Sequence, residues 1–164
     1  MTRKAQPFTH VDEKGRPAMV DVSEKQATRR IAHARSVVVL PSEVRAAIEG
    51  SEIASKKGPV FQTAIIAGVM AAKKTSELIP LCHPIGLEDC RVEIVLDYEG
   101  NAIIDCFTTV HHKTGVEMEA LTGASVAALT IYDMCKGLSH DIVIRETRLI
   151  EKKGGKRDFT LQGR

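Results

Sequence analysis

Arg91–Val110 reads R-V-E-I-V-L-D-Y-E-G-N-A-I-I-D-C-F-T-T-V, and this stretch decides the fold. Val92, Ile94 and Leu96 alternate with Arg91, Glu93 and Val95, the period of a strand with one face buried. Tyr98-Glu99-Gly100-Asn101 turns the chain, and Ala102 to Val110 supplies an antiparallel partner. The apolar face of such a hairpin needs a cover, and helices are encoded on both sides of it. Downstream, Val116 to Lys136 is a long helical stretch rich in Ala, Ser and Thr, closed by Gly137. Upstream, Pro59 suits the first turn of a helix in which Phe61, Ala64, Ile65, Gly68, Val69 and Ala72 recur at helical spacing to about Lys74. An antiparallel sheet with helices packed on one face, an α+β sandwich, is the architecture that this order predicts.

Further elements extend that frame. Ser23 and Gln26 have capping-box spacing, which predicts a helix to about Ala34. Ser36 to Leu40 (S-V-V-V-L) is β-branched and predicts a strand, and Pro41-Ser42-Glu43 starts a brief helix that Gly50 ends. The two prolines of Ile79 to Pro84 forbid a regular helix there. His111 to Gly115 reads as a loop, and Ile142 to Ile150 as a last strand. The chain of 164 residues suits a single domain, with about 1–17 and 153–164 expected to be flexible when unliganded.

Composition excludes several classes. Aromatics are only 4% with no Trp, so the core relies on small and aliphatic side chains, and a subunit interface is a natural supplement. A net charge of +2 does not by itself point to nucleic acid. Cys82, Cys90, Cys106 and Cys135 lack C-x-x-C spacing and follow no secretory signal, and no apolar run approaches membrane-spanning length. The expectation is a cytoplasmic protein without disulfides or membrane contact.

Four groupings could carry chemistry. In Lys113-Thr114-Gly115-Val116-Glu117-Met118-Glu119, a flexible glycine precedes a helix whose first turn holds two carboxylates. They could complement the helix dipole, or one could face a ligand. Asp133 and Lys136 are three apart on one helix face: a surface ion pair, or a proton-transfer pair in which burial lowers the ammonium pKa. Leu81-Cys82-His83-Pro84 fixes a histidine between prolines, as a phosphate donor, a general acid or a structural residue. Lys152-Lys153-Gly154-Gly155-Lys156 could turn backbone N–H groups toward an anion, or fray in solvent. Lys56-Lys57-Gly58 is a second basic spot beside a glycine. Adjacent Cys-His ligands are poor zinc geometry, and neither a Walker A nor a G-x-G-x-x-G pattern occurs.

Together, and in this order, the strings are specific. Met19–Ser23 (M-V-D-V-S), Leu78–Pro84 (L-I-P-L-C-H-P), Lys113–Thr122 (K-T-G-V-E-M-E-A-L-T) and Ser125–Lys136 (S-V-A-A-L-T-I-Y-D-M-C-K) resemble the molybdenum cofactor biosynthesis protein C (MoaC) family, over about Thr9 to Phe159. The resemblance implies a ferredoxin-like fold and a lyase reaction. Its substrate would be a 3′,8-cyclised dihydroguanosine triphosphate, made by a partner radical enzyme, and its products cyclic pyranopterin monophosphate and pyrophosphate. It implies that Asp133 and Lys136 form the central acid/base pair and that Lys57 is a second catalytic lysine. His83 and Lys152 would contact the triphosphate, with Leu81 and Cys82 in the same substrate-binding segment. Glu117, Met118 and Glu119 would line the base-binding part, and Arg30 and Asp21 would support the site. No metal ligand or cofactor is implied beyond magnesium accompanying the triphosphate. The assembly implied is a homohexamer, a trimer of dimers with sites at the dimer interface. Three features depart from the family pattern: His111-His112, Gly123 in place of alanine, and a tail reading G-G-K-R-D-F, one residue short. Two other readings compete: a metal-dependent phosphohydrolase using Cys82, His83, His111 and His112, and a non-catalytic ferredoxin-like binding module.

Overall fold

The computed structural model describes Val11 and residues 14–162. The expectation for 1–17 falls mostly outside the described residues.

A long strand, β1 (Thr28–Val39), is followed by a one-turn helix, α1 (Ser42–Arg45). Three short strands, β2 (Ile48–Glu49), β3 (Glu52–Ser55) and β4 (Gly58–Pro59), form a small antiparallel sheet leading into α2 (Val60–Lys73). A short α3 (Thr75–Leu78) precedes the hairpin of β5 (Asp89–Leu96) and β6 (Ala102–His112). The long helix α4 (Glu117–Cys135), β7 (Val143–Lys153) and a short β8 (Phe159–Thr160) complete the fold. The main sheet is antiparallel throughout, in the order β5-β6-β1-β7-β8. With α2 and α4 packed on one face, this is an α+β sandwich of ferredoxin-like kind.

The period of two explains which side chains meet. Ala32, Ala34, Ser36 and Val38 of β1 face inward with Val92 of β5 and with Ala102, Ile104, Cys106, Thr108 and Val110 of β6. Against them lie Ala120, Ala124, Ala127, Ala128 and Ile131 of α4 and Phe61 and Ala64 of α2. These mostly small side chains let backbones approach closely, and Gly123 marks the tightest point. A Cβ there would lie 2.6 Å from the Cys106 sulfur and 3.2 Å from the Gly68 carbonyl oxygen. The glycine at this position therefore has a packing reason.

Three local expectations are corrected. No helix occupies 23–34: the Ser23 N–H and hydroxyl both bond to Asp21, and the chain enters β1 at Thr28. The capping spacing is overridden because β1 is central, with ladders to both β6 and β7. His111 and His112 are strand rather than loop, since the early start of β1 gives them partners in Arg29 and Thr28. Gly50 does not end the helix begun at Ser42, which stops at Arg45; with φ of 61° it turns β2 into β3.

Candidate active site

The expected site residues gather at the two ends of α4. This helix has 19 residues and is about 28 Å long at 1.5 Å per residue. Side chains from its two termini cannot reach one another within one chain.

At the C-terminal end, Asp133 stands between two lysines. Lys136 Nζ lies 2.7 Å from one carboxylate oxygen, and Lys57 Nζ, carried on the β3–β4 turn, lies 3.0 Å from the other. Hydrogen bonds from Lys136 and then Lys57 hold the Asp133 carboxyl down to about 2. The expectation for Lys136 is reversed. Its ammonium is about half exposed and is pushed up from its ordinary value by the hydrogen bond to Asp133, not lowered by burial. The trio borders a cleft of about 620 Å³ whose walls include Ala47, Ile53, Ser55, Met134 and Leu138.

At the N-terminal end, Gly115 lets the chain enter the helix and leaves room for the side chain that follows. A Cβ on Gly115 would collide with the Glu117 carboxylate, which folds back to accept a hydrogen bond from Lys152 Nζ at 2.8 Å. Glu119 points inward and is 3% exposed. Burial, with the nearby Glu117 charge adding to it, raises its carboxyl to about 7, so it holds its proton up to near-neutral pH. Leu81, Cys82, His83, Glu117, Met118 and Glu119 line one cleft of about 320 Å³. His83 Nε2 donates to the Val20 carbonyl at 2.9 Å, which fixes the ring against the segment carrying Asp21. Asp21 itself accepts the Ser23 hydroxyl and N–H, and these bonds lower its carboxyl.

Sharing Thr114, Gly115 and Glu117 with that cleft is a second, strongly cationic one, lined by Lys25, Arg30, Lys113, Lys152, Lys153 and Lys156. Arg30 fastens the turn before α4 by donating to the His112 and Lys113 carbonyls at 3.2 and 3.4 Å. The tail enters this cleft because Gly154, at φ of 87°, lies against the Arg29 carbonyl, where a Cβ would collide. Its N–H is taken by Asp158 at 3.0 Å. Beyond it, Phe159–Thr160 pairs with Lys152 and Glu151.

Lys57, Asp133 and Lys136 are thus brought together, and so are Leu81, Cys82, His83, Glu117, Met118, Glu119, Lys152 and Arg30, but the two groups stand apart. Lys153 belongs to the basic glycine segment read as a candidate anion site, whereas Lys25 carries no signal in the sequence; it precedes β1, and only the fold brings it to this cleft. Among the described residues, no group of three or more His, Cys, Asp or Glu side chains could hold a metal ion. No helix among the described residues is long and apolar enough to cross a membrane.

A family model described as "MoaC family" matches residues 19–155. The cyclic pyranopterin monophosphate synthase of Xanthomonas campestris pv. campestris (strain B100) is 55% identical over 154 residues, covering 93% of this chain and 92% of the relative. A protein of the same name from Lysinibacillus sphaericus (strain C3-41) is 52% identical over 154 residues, covering 91% and 94%. Molybdenum cofactor biosynthesis protein 1 of Dictyostelium discoideum is 50% identical over 166 residues, covering 91% of this chain but 26% of that longer protein.

Proposed function

The chain belongs to the MoaC family, and on that premise we propose that it is a cyclic pyranopterin monophosphate synthase, an enzyme of molybdenum cofactor biosynthesis. It converts the 3′,8-cyclised dihydroguanosine triphosphate into cyclic pyranopterin monophosphate and pyrophosphate. The observation that carries this reading is the split of the charged residues between the ends of α4. One end holds a Lys–Asp–Lys trio suited to moving protons, and the other a cationic cleft beside a protonated, buried carboxyl suited to a triphosphate and its base.

Each group has a definite task in that reaction. Lys152 and Lys113 neutralise the triphosphate and His83 contacts it, with Arg30 and Asp21 holding the surrounding segments. Glu117, Met118 and Glu119, with Leu81 and Cys82 opposite, take the guanine-derived ring; a protonated Glu119 donates a hydrogen bond where an ionised one could only accept. Lys136 and Lys57, set by Asp133, give and take protons while rings open and are rebuilt. An oxygen of the substrate attacks the α-phosphorus, the bond to the leaving pyrophosphate breaks, and the lysines stabilise the charge that develops. No resident cofactor takes part, and magnesium at most accompanies the triphosphate.

Because one chain holds its two clusters about 28 Å apart, the working site combines the C-terminal end of one α4 with the N-terminal end of another. An isologous dimer supplies two such sites, and three dimers make the hexamer. The enzyme works in the cytoplasm on a small molecule delivered by a radical enzyme, with no nucleic acid or membrane involved. Lys136→Ala tests the assignment. The variant should release no pyrophosphate and form no pterin while keeping its native circular dichroism spectrum; near-normal turnover would refute it.

A further inference from the structure

We propose that Glu52 is a positioning residue for the reaction, fixing Lys57 against Asp133 and acting only through it; this rests on the role assigned to Lys57 above. The first-turn N–H groups of a helix need acceptors, usually a side chain at the N-cap. For α2 the N-cap is Pro59, whose side chain offers none. Glu52, on β3, takes its place. One of its carboxylate oxygens accepts the Phe61 N–H at 2.8 Å and the Ile53 N–H at 2.7 Å, and the other accepts the Gln62 N–H at 3.1 Å. A negative charge at this end of α2 also suits the helix dipole.

This arrangement clamps the turn that carries Lys57. Glu52 holds the β3 side, and α2, starting directly after β4, holds the other. Inside the turn, the Ser55 hydroxyl accepts the Lys57 N–H at 3.1 Å and donates to the Gly58 carbonyl at 2.9 Å, with Gly58 at φ of 112°. The ion pair between Lys57 and Asp133 is more than half exposed on both sides and is too weak to hold a loop unaided. The position of the ammonium therefore comes from the backbone, and the backbone is tied down by Glu52.

A double-mutant cycle on the full-length oligomer, read by single-turnover rate, tests this. Glu52→Ala should slow turnover by about 10- to 100-fold, as expected for a displaced catalytic group, and change KM by less than about twofold. In a Lys57→Ala background the same change should matter by less than about twofold, because Glu52 has nothing left to position. Adding Pro59→Ser to Glu52→Ala supplies a local cap; it should restore thermal stability without restoring the rate. A wild-type rate for Glu52→Ala, an equal loss in both backgrounds, or recovery of rate together with stability would each overturn the proposal. If Lys57→Ala alone turns over normally, the catalytic reading of Lys57 fails. Amide exchange at residues 55–58 then decides the structural claim: faster exchange in Glu52→Ala supports the clamp, and unchanged exchange overturns it.

Discussion

Two inactive variants should restore each other's activity when mixed. Lys136→Ala removes a lysine at the C-terminal end of α4, and His83→Ala removes a residue of the cleft at the N-terminal end. A helix of 19 residues separates these ends by about 28 Å, so under the proposed arrangement each complete site draws them from different chains. In a mixed dimer, one site then carries both defects and the other carries neither. Random pairing of equal amounts makes half of the dimers mixed, and half of the sites in those are intact, so about one quarter of wild-type activity should return. The two variants are co-expressed in equal amounts with different tags that report mixed species, and pyrophosphate release is measured on the whole purified population. The returned activity should show the wild-type KM, since the surviving sites are unaltered. Mixed oligomers that form, as native mass spectrometry reports, yet stay at the level of the parent variants would refute a site shared between chains.

The Glu119 carboxyl, raised to about 7 by burial, makes the fold less stable as pH rises. Between the ordinary carboxylate range and about 7 the folded state holds a proton that the unfolded state has lost. Stability is therefore full at low pH and falls toward neutrality, by up to about 3 kcal/mol. Glu119→Gln should remove that fall, which urea denaturation at pH 5 and pH 7.5 measures; an unchanged slope would count against burial as its cause. Gly123→Ala should destabilise the protein even though it improves helix propensity by about 1 kcal/mol. The added Cβ would lie 2.6 Å from the fully buried Cys106 sulfur, and overpacking of this kind costs about 1–3 kcal/mol. A higher melting temperature for Gly123→Ala would contradict that.

The elements read most accurately were those whose pattern is local and long. The β5–β6 hairpin, α2 and α4 lie within a few residues of their expected positions because alternation and helical spacing continue over many residues in each. β1 was half missed. Its first residues, Thr28 to Arg35, carry no strong strand signal of their own and are strand because β6 and β7 lie on either side. The strand state of His111 and His112 follows from the same tertiary fact. Lys113, Glu117 and Lys152 could be picked out as charges beside glycines, and the structure gathers them in one cleft. The sign of the Lys136 shift could not be read, since it depends on whether the end of α4 is buried or open, and it is open. Glu52 was invisible for a related reason. Its two partners on α2 lie 9 and 10 residues ahead on another element, a pairing that no local pattern around Glu52 announces.

Incubation of the purified protein with the 3′,8-cyclised dihydroguanosine triphosphate is the most direct test of the account. Pyrophosphate and cyclic pyranopterin monophosphate should appear in equal amounts, with repeated turnover and no added redox reagent. Absence of both products from a folded protein that binds the nucleotide would contradict it.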